Sequence, residues 1–301
     1  MKQNDSTPQK GRPNKNKSLQ IRVDVFRMLL EKWLYCPGDT LLEHREVENK
    51  LSLNIKTVKD IFQDIADIST DIVLGSEGIR TSRQTYYYDN LPIAREFKNA
   101  IADEFVKQIP KDVTLACSAG TTVTSCVRRL IEKRDYHVIV TNNIGVINQL
   151  SYGDISNLIF TGGEYKPGIH GCVGDTVVGA FADAKCQAAL IGVSGINEEG
   201  DLFVRHFEEV AVNKQIIRSV TKDIFIVAHA DKLSQIDTWR FGNIRELVRD
   251  SQKPDLNVCV ITNAYELLSE QNRREQAEKV YNSLLKIDDK KVKVIVTGRE
   301  T

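Results

Sequence analysis

Small hydroxylated residues and glycines recur in this chain directly after short apolar runs. In an open parallel sheet that is where small ligands bind, at the carboxyl ends of the strands. The run Val113–Ala116 leads into Ser118-Ala119-Gly120-Thr121-Thr122 at the start of a helical stretch. Gly120 lets a ligand approach the backbone closely. Thr121 and Thr122 offer hydroxyl donors at a positive helix end, which together make a phosphate cradle. Three further ends follow the same plan: Val138–Val140 into Thr141-Asn142-Asn143, Leu158–Phe160 into Thr161-Gly162-Gly163-Glu164, and Ala189–Val193 into Ser194-Gly195-Ile196-Asn197. Singly, each is more often a helix cap or a βα turn with no ligand. Together they predict one shared pocket for a small polar or anionic ligand.

Charged residues extend the same pattern. Glu208 and Glu209 open a helical stretch at 207–220, where carboxylates suit the helix dipole. Glu209 could instead act as a general base, abstracting a proton α to a carbonyl in a sugar-phosphate isomerase-like enzyme. Lys232, within His229-Ala230-Asp231-Lys232, either neutralises a phosphate or is a solvated surface cation. His170 and His206 have no metal-ligand spacing to other donors. No GxxxxGK[ST], GxGxxG or GxSxG occurs. The expectation is therefore no catalytic set, no metal and no cofactor.

The elements that must position these residues follow from periodicity. From about Ile93 onward, apolar runs at 113–116, 138–140, 158–160, 189–193, 224–228, 258–261 and 292–296 alternate with helical stretches near 93–109, 121–133, 143–150, 175–186, 207–220 and 264–286. Strands alternating with helices mean βαβ units and a mostly parallel α/β sheet.

Upstream the pattern differs. Leu19, Val23, Phe26, Leu29, Leu30 and Trp33 share one helical face, and Cys36-Pro37-Gly38-Asp39 stops it. A second helix fits 42–51. Asn54 can cap a third, in which Ile55, Val58, Ile61, Phe62 and Ile65 face inward. Residues 71–88 read as a hairpin ending in Tyr86-Tyr87-Tyr88. This is the outline of a winged helix-turn-helix, with Asn54, Lys56, Thr57 and Lys59 turned outward toward DNA. An ordinary three-helix unit with a solvated face fits as well, because Asp60, Asp64 and Asp67 would repel phosphates. Residues 1–18 carry five basic residues against Asp5 and read as a disordered basic arm. Its Lys10-Gly11-Arg12-Pro13 is either a minor-groove hook, with Arg12 inserted, or a merely solvated tail. The predicted domains are thus 1–18, 19–90 and 91–301.

Composition sets the outer limits. The chain has 301 residues, 41% hydrophobic, with 41 Lys+Arg against 41 Asp+Glu, which excludes nucleic-acid binding through bulk charge alone. No run approaches the ~18 apolar residues of a membrane helix. The six scattered cysteines read as free thiols of a cytoplasmic chain.

In order, these motifs resemble the DeoR family of bacterial transcription regulators. The family's Asp-Ser-Gly-Thr-Thr segment corresponds to Ser118–Thr122, its Thr-Asn to Thr141-Asn142, its Gly-Gly to Gly162-Gly163, and a later glycine to Gly174. Its Gly-Ala-Ser-Gly-Ile matches Gly192-Val193-Ser194-Gly195-Ile196, its helix Glu matches Glu209, and its Ser-Lys matches Asp231-Lys232. The resemblance runs from about residue 93 to 297, and more loosely through Leu51–Val58 in the N-terminal third.

It implies a small α+β winged helix followed by a larger sensing domain, similar in fold to ribose-phosphate isomerases and coenzyme A transferases. It implies a repressor of carbohydrate-related genes, working as a dimer or tetramer on a double-stranded DNA operator and relieved by a phosphorylated sugar. Ser118, Gly120, Thr121, Thr122, Thr141, Asn142, Gly162, Gly163, Glu209 and Lys232 would line the effector pocket. The chain departs from the family at Ser118, Gln187, Asn213 and His229, and its wing reads Leu74-Gly75-Ser76-Glu77-Gly78-Ile79-Arg80 where the family has Arg-x-His-Gly-Gly. The rival readings are the isomerase-like enzyme and an interaction protein with a vestigial pocket.

Overall fold

The computed structural model describes residues 19–25, 27–29, 42–68, 72–81, 95–133, 138–148, 157–268, 270–288 and 290–298. They fall into two compact units divided between Gln84 and Thr85. The basic arm with Arg12, the stop at 36–39 and the tyrosines at 86–88 lie outside the described residues.

The first unit opens with helical backbone at 19–25 and 27–29. There follow β1 (Leu42–Glu43), α1 (His44–Leu51), α2 (Ile55–Ile68), β2 (Ile72–Leu74) and β3 (Gly78–Thr81). Ser52 adopts a left-handed conformation, φ 51°, and turns the chain from α1 to α2. Asn54 Oδ1 accepts the Thr57 backbone N–H at 2.9 Å and starts α2, as an N-cap does. Val58, Ile61, Phe62 and Ile65 then close over Val25, Leu29, Leu42, Val47 and Ile79 in one core. The strands form an antiparallel sheet in the order β1-β3-β2, with Glu43 opposite Gly78. Helix, turn, helix and a two-stranded wing are therefore assembled. The wing ends at Thr81 among the described residues.

The second unit begins with α3 (Arg95–Gln108), β4 (Thr114–Cys117), α4 (Thr121–Lys133), β5 (Val138–Thr141), α5 (Ile144–Ile147) and β6 (Leu158–Phe160). A ribbon of β7 (Glu164–Lys166) and β8 (Gly171–Val173) precedes α6 (Asp175–Asp183), β9 (Cys186–Gly192), β10 (Gly195–Ile196) and β11 (Asp201–Val204). The chain then runs through α7 (Glu208–Ser219), β12 (Val220–Val227), β13 (Trp239–Asn243), α8 (Ile244–Val248), β14 (Asn257–Asn263), α9 (Gln271–Leu285) and β15 (Val292–Thr297).

Seven strands make one parallel sheet in the order β15-β14-β12-β9-β4-β5-β6. Both faces of the central strands are buried. On β9 and β12, Ala189, Ile191, Ile224 and Ile226 point into one core with α6, α7 and α9, while Ala188, Leu190, Phe225 and Val227 point into the other with α3 and α4. Two buried faces explain why these strands read as continuous apolar runs rather than alternating ones.

Two expectations are corrected. The helical stretch at 264–286 is a short 3-10 turn at Tyr265–Leu267 and then α9, separated because Leu268 and Glu270 take extended backbone. The small sheet β10-β11-β13 and the ribbon β7-β8 add to the expected strands, because strands of two to five residues are too short to establish a two-residue period.

Candidate functional site

Strand order decides where the site lies. From β4 the chain builds outward through β5 and β6. From β9 it builds the other way through β12, β14 and β15. The order reverses between β4 and β9, and an open sheet leaves a crevice at the carboxyl ends of the strands where its order reverses. A cavity of about 120 Å³ occupies that crevice.

β4 contributes Ala119, Gly120, Thr121 and Thr122, and β9 contributes Gly192, Val193 and Ser194. Gly120 has φ +138° and open space where a side chain would sit, so the backbone is bare to the cavity. Thr121 begins α4, whose first-turn N–H groups have no acceptor within the helix. From β12 come Val227 and, beyond it, His229, Asp231 and Lys232. β11 adds Val204 and Arg205, α7 adds Glu209, α3 adds Lys98, and the ribbon turn adds Gly168 and Ile169.

The charges are arranged in partnered sets. His229 Nδ1 lies 2.7 Å from Asp231 Oδ1, and Lys232 Nζ lies 3.6 Å from Asp231 Oδ2. Burial pushes the Asp231 carboxyl up, but the hydrogen bond to His229 and the Lys232 charge more than offset it, so its pKa is lowered. The Phe97 ring lies 5.2 Å from the His229 ring. Lys98 is only 5% exposed. Desolvation lowers its pKa to about 8, against the attraction of Asp231 and with the repulsion of Lys232. Glu209 touches the cavity with part of its surface but is otherwise enclosed by protein. Desolvation, aided by the charges of Glu208 and Asp237, raises its pKa to about 7 in spite of a hydrogen bond from the His206 backbone. Arg205 pairs with Asp237 at 3.3 Å.

Of the ten pocket residues expected, the cavity gathers Gly120, Thr121, Thr122, Glu209 and Lys232. The other five are not among the residues that line it. Ser118 Oγ accepts the Gly192 N–H at 3.1 Å and ties β4 to β9. Thr141 Oγ1 donates to the Cys117 carbonyl at 3.0 Å, and Asn142 Nδ2 donates to the Cys172 carbonyl at 2.7 Å. Gly162 and Gly163 take left-handed φ of +68° and +108°, and a Cβ on Gly163 would meet Val177 at 2.5 Å. The strands that lead into Thr141-Asn142 and Gly162-Gly163, β5 and β6, lie on the far side of β4, while Ser118 directly follows β4.

Lys98, Arg205, His229 and Asp231 join the pocket without having been expected there. Lys98 carries a readable signal: it shares the stripe Lys98, Ile101, Ala102, Phe105, the i, i+3, i+4, i+7 spacing of a buried face. A lysine on such a face needs a polar reason to be there.

In the first unit, Asn54 caps α2 and so is engaged by its own helix, with the Thr57 hydroxyl donating to it at 3.0 Å. Lys56 and Lys59 are exposed. Asp64 pairs with Arg22 and is drawn toward the first helical stretch. Among the described residues no group of three His, Cys, Asp or Glu could hold a metal ion, and no helix is long and apolar enough to cross a membrane. Cys117, Cys126, Cys172, Cys186 and Cys259 are free and buried, and burial raises their thiol pKa values.

Residues 93–249 match the family model of the DeoR C terminal sensor domain. The chain is 25% identical over 206 residues to the glycerol-3-phosphate regulon repressor of Escherichia coli (strain K12), covering 67% of this chain and 78% of that protein. It is 24% identical over 231 residues to the HTH-type transcriptional repressor CsqR of the same organism, covering 75% and 84%. It is 25% identical over 161 residues to the HTH-type transcriptional repressor GlcR of Bacillus subtilis (strain 168), covering 54% and 61%. Among solved structures, ribose 5 phosphate isomerase A from Neisseria gonorrhoeae aligns over 46% of this chain and 54% of its own, at 13% identity and a TM-score of 0.35, an overlap too partial to carry a functional argument.

Proposed function

Because this chain belongs to the DeoR family, through a sensor domain that occupies residues 93–249, we propose that it is a DNA-binding transcription repressor of carbohydrate-related genes, governed by a phosphorylated sugar. The observation that carries this reading is the cavity at the β4/β9 switch point. Bare backbone at Gly120 and the start of α4 receive a phosphate there, and Lys98 and Lys232 supply positive charge. The winged helix reads an operator in the cytoplasm, with Lys56 and Lys59 on phosphates and base edges. Two half-sites require two copies of the chain, so the working form is a homo-oligomer. The effector acts by binding one arrangement of the protein more tightly than the other, since equal affinity for both shifts nothing.

Selection of genomic fragments by the full-length protein at ~150 mM salt, where non-specific phosphate binding is weak, tests this reading. A few sites sharing a repeated half-site, released by a phosphorylated sugar, are expected. Unselective recovery of DNA would remove the repressor reading.

One observation favours a second reading, an isomerase-like enzyme. A carboxyl with a pKa near 7, beside an anion site, suits a general base. The protein is read as a sensor and not an enzyme because the DNA-reading unit has no purpose in an isomerase. Turnover of an aldose phosphate that disappears in Glu209→Gln would reverse that ranking.

A further inference from the structure

Ile55 is the first residue of α2. Its spacing to Val58 and Phe62 predicts a place in the core, beside them and Ile61 and Ile65. Those four do enter the core of the first unit, but Ile55 is 39% exposed. The reason is angular. Ile55 lies at the margin of the arc the four describe around the helix, on the side of Lys59, the residue one turn further on.

The outward face of α2 is divided along its length. Lys56 and Lys59 stand in its first half, and Asp60, Asp64 and Asp67 follow, all five exposed. Asp64 pairs with Arg22, and Asp67 accepts a hydrogen bond from Gln63 Nε2 at 2.7 Å. A duplex attracts the basic half and repels the acidic one, so α2 meets DNA with its N-terminal turns, as a recognition helix does. Just ahead of them, the side-chain oxygen of Asn54 is committed to the N–H and hydroxyl of Thr57. The outward side chains that come first to the groove are therefore Ile55, Lys56 and Lys59.

A lysine can settle on a phosphate or on a guanine edge; an isoleucine can do neither. The major-groove edges of the bases carry hydrogen-bond donors and acceptors, and one apolar group, the C5-methyl of thymine. Any other edge against Ile55 gives up its water to an apolar side chain and receives no hydrogen bond in return. We infer that Ile55 is a specificity-determining residue of the DNA-reading face and that its partner is the 5-methyl group of a thymine in each operator half-site. This rests on the repressor reading above and adds to it a base that the operator must contain.

Deoxyuridine lacks only the 5-methyl group of thymidine and keeps its pairing, so it isolates the contact. The probe is a synthetic duplex carrying the repeated half-site recovered by the genomic selection. Each thymine of one half-site is replaced in turn by deoxyuridine, and binding of the full-length protein is measured by fluorescence anisotropy at ~150 mM salt. One position is expected at which the replacement weakens binding about fourfold, the worth of one buried methyl group. In Ile55→Ala the same replacement should cost less than about twofold, while the slope of log K against log salt stays as in the parent, because no charge has been removed. A half-site without thymine overturns the inference. So does a scan of the unaltered protein in which no position responds, a result that does not depend on the folding of any variant. A response that persists undiminished in Ile55→Ala assigns the methyl to another residue and also overturns it. In each of these cases the operator is still bound, and the repressor reading stands. If no repeated half-site is recovered at all, both fail.

Discussion

His229 and Asp231 stand two residues apart beyond the end of β12, with Nδ1 of one 2.7 Å from Oδ1 of the other. The pair fixes the imidazole at the cavity wall and holds the carboxylate beside Lys232. Asp231→Asn keeps the shape but removes the charge. A hydrogen bond to a charged group is worth ~1.5–3 kcal/mol, so the second unit should lose stability of that order at pH 7. Thermal unfolding of the variant checks this, with an unchanged far-UV spectrum as the folding control.

Lys98 is buried at a cost to stability. Its folded-state pKa is about 8 against an ordinary 10.5. A lowered lysine pKa means the charged form is disfavoured in the fold. The penalty is fully present below pH 8 and disappears as pH rises through 10.5. Lys98→Met should therefore raise the melting temperature of the ligand-free protein at pH 7, by roughly 2–4 °C for each kcal/mol recovered. The gain should shrink between pH 8 and 10.5. A variant that melts lower than the parent at pH 7 would count against the buried charge.

Glu209 gives the opposite slope. Its carboxyl titrates near 7 in the fold against 4.5 ordinarily, so the folded state holds a proton that the unfolded state has lost between those values. Stability falls with rising pH across that window. Glu209→Gln, which cannot ionise, should gain in melting temperature relative to the parent as pH goes from 5 to 8. Parallel curves for the two proteins would show that the group is not desolvated.

On the DNA side, Lys56 and Lys59 project from the exposed face of α2. Replacing both with Ala should weaken operator binding and reduce the slope of log K against log salt by about 2, near one for each phosphate no longer neutralised. An unchanged slope would move the DNA-reading surface away from α2.

Gly78 tests the wing. A Cβ there would lie 2.0 Å from the Leu42 carbonyl oxygen, where β3 crosses β1. Backbone cannot give way as a side-chain tip can. Gly78→Ala should cost the first unit ~1–3 kcal/mol and impair DNA binding, while ligand affinity in the second unit stays within a factor of two. Mobility shift and calorimetry on one preparation separate these effects.

Periodicity and chain order were legible in the residues themselves. The strands of the main sheet are apolar on both faces because both faces are covered, so β4, β5, β9 and β12 stand out as runs at 113–116, 138–140, 189–193 and 224–228. Gly120-Thr121-Thr122 can be read as a cradle because a helix must begin where its strand ends. The turn and cap around Asn54 are local, and local chemistry suffices for them.

Which strand ends meet was decided only by the tertiary structure. Hydrogen-bonded neighbours in a parallel sheet are chosen over long sequence separations, and nothing in the spacing of residues states that choice. The order β12-β9-β4-β5-β6 brings His229, Asp231, Lys232 and Lys98 into one crevice with Gly120. The same order carries Thr141, Asn142, Gly162 and Gly163 to the other side of β4, where Thr141 and Asn142 hydrogen-bond to the Cys117 and Cys172 carbonyls.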